Sequence, residues 1–201
     1  EKADPTRHTD PGTTFDDHLR RYVNETRAKG GIPVLFNSIV RRNFVQPKDT
    51  SISKDVRRTP GESEPPKEGT VLFDTHGAYL DSPRNVAKEL GVAFIDMNKI
   101  THDLVEGLGP VESKKLFMFV EPDQVPAFPK GREDNTHLNV YGARVIAGLA
   151  VEAIGKAVPE LAPYIRHYDY VVAQDGSGDF FTVQEAINAV PDFRKNIRTT
   201  I

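Results

Sequence analysis

In the run KGREDNTHLNVYGA, Lys130 to Ala143, a carboxylate, Asp134, stands three residues ahead of an imidazole, His137, where a turn is expected to feed a helix. An imidazole, with an unperturbed pKa of about 6.5, takes up a proton near neutral pH. It needs a partner on its other nitrogen to fix tautomer and orientation. A carboxylate three residues upstream can be that partner, and the pair is then the rear two thirds of a nucleophilic triad that still needs a hydroxyl. A plainer reading stands beside it, in which Asp134 or Asn135 caps the helix and His137 is an ordinary side chain.

Other residues of chemical interest are few. FDTHGAYL offers Asp74 and His76 at the end of a predicted strand, where they either line a sugar site or brace a loop. Ser38, after VLFN, and Ser82 lack the Gly-flanked strand-to-helix turn of a nucleophile elbow, and Ser82 reads better as a helix cap. Arg132, Lys130, Arg41 and Arg42 either grip carboxylates of an acidic polymer, which a guanidinium holds at two points, or serve as solvated surface charge. The chain has six His, none at H-x-x-x-H or H-E-x-x-H spacing, so no metal site is predicted. It has no Cys, which excludes disulfides, thiolate zinc sites and a Cys nucleophile. In QDGSGDF, Phe181 stands where a dinucleotide fingerprint needs its third Gly, so Gly176 and Gly178 read as a tight turn.

The elements that must position these residues follow an alternating pattern. Thr14 and Asp17 look like a capping box opening a helix with Phe15, Leu19, Tyr22 and Val23 on one face. IPVLFNSIV, TVLFD and VAFIDM read as strands, the first apolar without alternation, as in a covered parallel sheet. Between the last two, Ser82, Pro83 and Gly91 mark the cap, first turn and end of a helix. Helices are also predicted through ITHDLVEGLG and from Asn139 to a stop before Pro159. Strands alternating with helices imply a parallel sheet with helices packed on it. The polar run Arg41 to Thr70, containing TPGESEPPKEGT, reads as a surface loop or hairpin. From Tyr170 on, the sequence reads as a strand, a Gly-rich turn and a helix capped by Thr182 with Glu185, burying Val183, Ile187 and Val190.

With 26 Lys+Arg against 29 Asp+Glu, no global field points to nucleic acid or an anionic membrane. No apolar run approaches the roughly 18 to 20 residues of a membrane span. The first residue is Glu and no signal pattern comes after it, so the numbering is expected to begin inside a longer protein.

DNTHLNVYGARVIAGLAVEAI resembles the last sequence block of the GDSL, or SGNH, hydrolases. DPTRHTDPGTTFDDHLRRYVNETRAKGGIPVLFNSIVRR and DTHGAYLDSPRNVAKELGVAFIDMNKIT resemble the rhamnogalacturonan acetylesterase branch. That resemblance implies a three-layer α/β/α, flavodoxin-like SGNH hydrolase fold over residues 1–158, incomplete at its front, with His137 as general base and Asp134 as its orienting acid. The family's serine nucleophile and its oxyanion Gly and Asn lie in blocks expected before Glu1. His76 and Arg132 are the candidate substrate-binding residues, and no cofactor is implied. The loop Arg41 to Thr70 is longer than the family's hairpin. VVAQDGSGDFFTVQEAINAVP resembles the opening of pectinesterases, pectin methylesterases built as right-handed parallel β-helices, whose catalytic Asp residues lie further along. Residues 170–201 are thus expected to be the first turn of such a domain, after a linker at 159–169.

The expected whole is a piece of a two-enzyme protein that deacetylates rhamnogalacturonan and demethylates pectin, secreted or periplasmic, and inactive as this chain alone. The contrasting reading is a non-catalytic carbohydrate-binding or adaptor module that kept the SGNH fold and lost its serine.

Overall fold

A computed structural model describes residues 8–46, 57–58, 69–166, 168–190 and 199–201. Helix α1, Thr14–Ala28, buries Val23 and half-buries Phe15 and Leu19, but Tyr22 is exposed. The expected capping box is not formed. The helix starts at Thr14 itself, whose hydroxyl accepts the Asp10 amide at 2.9 Å.

Strand β1, Val34–Phe36, pairs in parallel with β5, Ala93–Ile95. Between them come β2, Phe44–Val45, β3, Arg57–Arg58, β4, Val71–Leu72, a 3-10 turn at Gly77–Leu80 and helix α2, Asp81–Leu90. After β5 come α3, Met97–Glu112, a 3-10 turn at Ser113–Leu116, β6, Phe117–Val120, β7, Arg132–Leu138, and α4, Val140–Ala157. A 3-10 helix at Pro159–Tyr164 lies against α4, and α5 spans Val183–Asn188. Gly91 ends α2 with φ 60°, as its sequence position predicts.

The mixed α/β architecture matches expectation, but the sheets differ from one continuous parallel sheet. TVLFD pairs antiparallel with β2, apart from the parallel pair. The reason is visible in burial: Leu72 is buried while Val71 and Phe73 on either side are exposed, the alternation of a strand with one wet face. The segment around Asp134, expected as a turn, is the central strand of an antiparallel sheet in the order β3-β7-β6. Ser82 is not a cap, because the preceding 3-10 turn runs directly into α2 and leaves Ser82 buried inside the first turn. The core joins Val40, Leu72, Val105, Leu116 and Phe117 to a second cluster of Ile95, Met97 and Ile146, with Leu104 and Leu138 packed against both.

The C-terminal stretch shows one isolated parallel bridge, Val172 to Phe180, and no β-helix coil among the described residues. Thr182 and Glu185 do form a reciprocal capping box on α5. Of the expected buried face Val190 is half-buried, but Val183 and Ile187 are exposed and Ala186 is buried instead, because no second layer covers them among the described residues. Most of TPGESEPPKEGT, at 59–68, and residues 191–198 lie outside the described residues.

Candidate active site

Strand β7 is not a regular partner of β6. Arg132, Glu133 and Asp134 pair with Val120, Phe119 and Met118 in register, then Phe117 pairs with Leu138. Asn135, Thr136 and His137 therefore leave the ladder as a bulge, a device that re-aims a side chain. Their amides need other acceptors. Asp134 supplies one: its Oδ1 accepts the amides of Thr136 and His137 at 2.9 and 3.0 Å.

The same carboxylate holds the imidazole. Asp134 Oδ2 lies 2.9 Å from His137 Nδ1 and accepts Arg132 Nη2 at 2.6 Å. Asp134 has no exposed surface, and burial acts to raise its pKa. The two bulge amides, the guanidinium and the imidazole outweigh that and hold it down at about 2. An ionised carboxylate only accepts, so His137 must donate through Nδ1–H and keep its lone pair on Nε2. The His137 side chain is 47% exposed, and no described residue bonds Nε2. The arrangement is a half-exposed imidazole whose neutral form is held to one tautomer by Asp134.

The entry to α4 fixes the far side of the bulge. Asn139, the N-cap of α4, accepts the Gly142 amide at 2.8 Å and donates to the carbonyls of Lys115 and Phe117 at 2.8 and 2.9 Å. Gly142 makes that seat possible, since a Cβ there would stand 1.9 Å from the Leu116 carbonyl oxygen. The plainer reading of Asp134 or Asn135 as the cap is thus replaced by Asn139.

Asp74 and His76 form a second pair. Asp74 Oδ1 accepts the His76 amide at 2.7 Å and lies 2.9 Å from its Nδ1, while Oδ2 accepts Asn98 Nδ2 at 2.5 Å. Burial acts against ionisation, but these bonds hold Asp74 at about 2 as well. Asn98 in turn donates its amide to Asn37, which bonds Asp96. Asn37 and Asp96 come directly after β1 and β5, so this pair sits at the carboxyl ends of the parallel strands, where open α/β sheets gather ligands.

Arg132 is engaged with Asp134 and lies 4.8 Å over the Phe128 ring. Arg42 is buried and inward, so it cannot meet a polymer as its sequence position suggested. Lys130 is exposed, and so is Ser38. No hydrogen bond joins a described serine to His137. Among the described residues no cluster of three His, Asp or Glu is arranged to hold a metal, and no helix is long and apolar enough to cross a membrane.

A fixed-tautomer imidazole beside an SGNH-like sequence block directs attention to esterases. Curated homologues of this chain are rhamnogalacturonan acetylesterases. The chain is 34% identical over 170 residues to rhamnogalacturonan acetylesterase RhgT of Bacillus subtilis (strain 168), covering 85% of this chain and 61% of that protein. It is 24% identical over 153 residues to "Probable rhamnogalacturonan acetylesterase YesY" of the same organism, covering 76% of this chain and 56% of the other. The chain therefore spans about three fifths of the length of the acetylesterases it matches. No family model matches it. No solved structure matches it closely.

Proposed function

We propose that this chain carries the base and orienting acid of a serine-type carbohydrate esterase that removes acetyl groups from rhamnogalacturonan. The observation that carries the reading is the bulge of β7, which gives Asp134 two amides and an imidazole and leaves His137 Nε2 outward. The similarity to two acetylesterases supplies the substrate class. In this reading a serine hydroxyl outside this chain attacks the acetyl carbonyl and passes its proton to Nε2. The imidazolium, stabilised by Asp134, returns that proton to the departing sugar oxygen, and water then hydrolyses the acetyl-serine by the same route. Oxyanion donors accompany the serine, so the chain by itself is inactive. A cleft of about 280 Å³ beside β7 is lined by the cations Lys114, Lys115 and Arg132 and by the carboxylates Glu121 and Glu133, with His137 and His76 outside its lining. His76 and Arg132 border the polymer, Arg132 while holding Asp134.

Residues 170–201 belong, in the same proposal, to the start of a fused pectin methylesterase. Supporting it is the resemblance of VVAQDGSGDFFTVQEAINAVP to the opening of pectinesterases. A protein acting on pectic polymers belongs in the secreted or periplasmic space.

The alternative is the non-catalytic binding module. The two are separated by assaying the protein as its gene encodes it for acetate release from acetylated rhamnogalacturonan and methanol release from methyl-esterified pectin. Acetate release supports the esterase. Polymer binding without acetate release would replace it with the binder.

A further inference from the structure

Two neighbouring arginines hold the two Asp–His pairs, each at the residue just after the aspartate. Arg42 Nη1 donates to Asn135 Oδ1 at 2.5 Å, and the Arg42 amide donates to the Asn135 carbonyl at 2.8 Å. Arg41 Nη1 donates to Thr75 Oγ1 at 3.2 Å, between Asp74 and His76. The next residue continues the strap, since the Asn43 carbonyl accepts the Phe73 amide at 2.8 Å.

Arg42 is the deeper of the two. Its side chain is anchored at three further points: Nε donates to Ser113 Oγ at 2.9 Å, Nη2 donates to the Pro110 carbonyl, and the guanidinium stacks between the rings of Phe44 and Phe119 at 5.6 and 5.1 Å. Pro110 presents that carbonyl because α3 is broken at Gly109, whose φ of 71° lies in the left-handed region. Burial lowers the Arg42 pKa to about 10, opposed by the Glu133 carboxylate, so it remains a cation at neutral pH. A buried cation joining the broken α3, the 3-10 turn after it and β2 to one bulge residue is costly to place unless its bonds are all made.

The bulge needs such an anchor. Asp134 satisfies the amides of Thr136 and His137, and Arg42 satisfies the carbonyl and side chain of Asn135, the residue before them. We propose that Arg42 is a positioning residue for His137, acting through Asn135 to hold the bulge so that Asp134 meets Nδ1 and Nε2 faces outward. The proposal rests on the reading of His137 as the base, and misplacement of a reacting group by about 1 Å costs on the order of 10²-fold in rate.

The test compares Arg42→Gln, Arg42→Lys and the milder Asn135→Ala in the protein as its gene encodes it. Long-range ¹H–¹⁵N spectra of the imidazoles report each tautomer, and acetate release gives kcat and KM. Arg42→Gln is expected to turn the single Nδ1–H tautomer of His137 into a mixture and lower kcat by about 10²-fold with KM within about twofold, leaving His76 unchanged. Asn135→Ala should move both readouts the same way by less, and Arg42→Lys should restore them in part. An unchanged His137 tautomer and kcat in folded Arg42→Gln or Asn135→Ala, with only the melting temperature lowered, would overturn the proposal. If wild type releases no acetate, the esterase reading fails and the tautomer alone decides whether Arg42 positions His137.

Discussion

Asp134 with His137 and Asp74 with His76 share a 2.9 Å contact to Nδ1 and a carboxyl held at about 2, yet they present their imidazoles differently. Asp134 is fully covered and its histidine stands 47% exposed on a bulge. Asp74 is 19% exposed and its histidine only 14%, tied by Asn98 into the polar network behind β1 and β5. Carboxylate charge therefore does not separate the two pairs. The two imidazoles differ in exposure, and local backbone sets it: a three-residue departure from a ladder leaves His137 half-exposed, whereas the entry to a 3-10 turn covers most of His76. A catalytic base needs an exposed lone pair within reach of its substrate.

The comparison is broken most forcefully at the carboxylates. Asp134→Asn should lower acetate release by on the order of 10⁴, because an amide no longer enforces the Nδ1–H tautomer. Asp74→Asn should cost at most about tenfold, the scale of one ordinary hydrogen bond. Equal losses in steady-state kinetics would mean that the two pairs share one role. Next in size is Arg132→Gln, which removes the guanidinium from a covered carboxylate. Urea denaturation should show a loss of roughly 1.5 to 3 kcal/mol, the range for a hydrogen bond to a charged group. No change would mean that Arg132 leaves Asp134 for solvent in the working protein.

Acid should test both pairs together. Each carboxyl binds its proton more weakly folded than unfolded, so each stabilises the fold above about pH 4 and loses that contribution as pH falls toward 2. For Asp134 the shift corresponds to on the order of 2 kcal/mol. Stability measured across that window should fall for wild type and become flatter in Asp134→Asn. The mildest probe is diethyl pyrocarbonate with peptide mapping, which should modify His137 several-fold faster than His76, in line with their exposure. The reverse order would place the outward nitrogen on the wrong pair.

Much of this was legible in the sequence, and the failures share a cause. The D-x-x-H spacing disclosed the partnership of Asp134 and His137, and the capping box at Thr182 and Glu185 reads directly as local chemistry. The bond from Arg132 to Asp134 is hidden while REDNTHL reads as a turn. Had it been read as a strand, alternation would have put Arg132 and Asp134 on one face, two residues apart. Arg42 could not be found that way, since its partners Ser113, Pro110 and Asn135 are brought together only by tertiary folding. The one-sided burial of TVLFD was legible in principle, but three apolar residues in a row masked it.

The central claim is that the outward imidazole of β7, and not the inward one, carries the proton. Acetate release should be measured side by side for His137→Ala and His76→Ala in the protein as its gene encodes it, with both variants shown to be folded. A loss of on the order of 10⁴ to 10⁶ in kcat for His137→Ala, against at most about tenfold for His76→Ala, is the predicted result. Near-wild-type turnover in folded His137→Ala would contradict it.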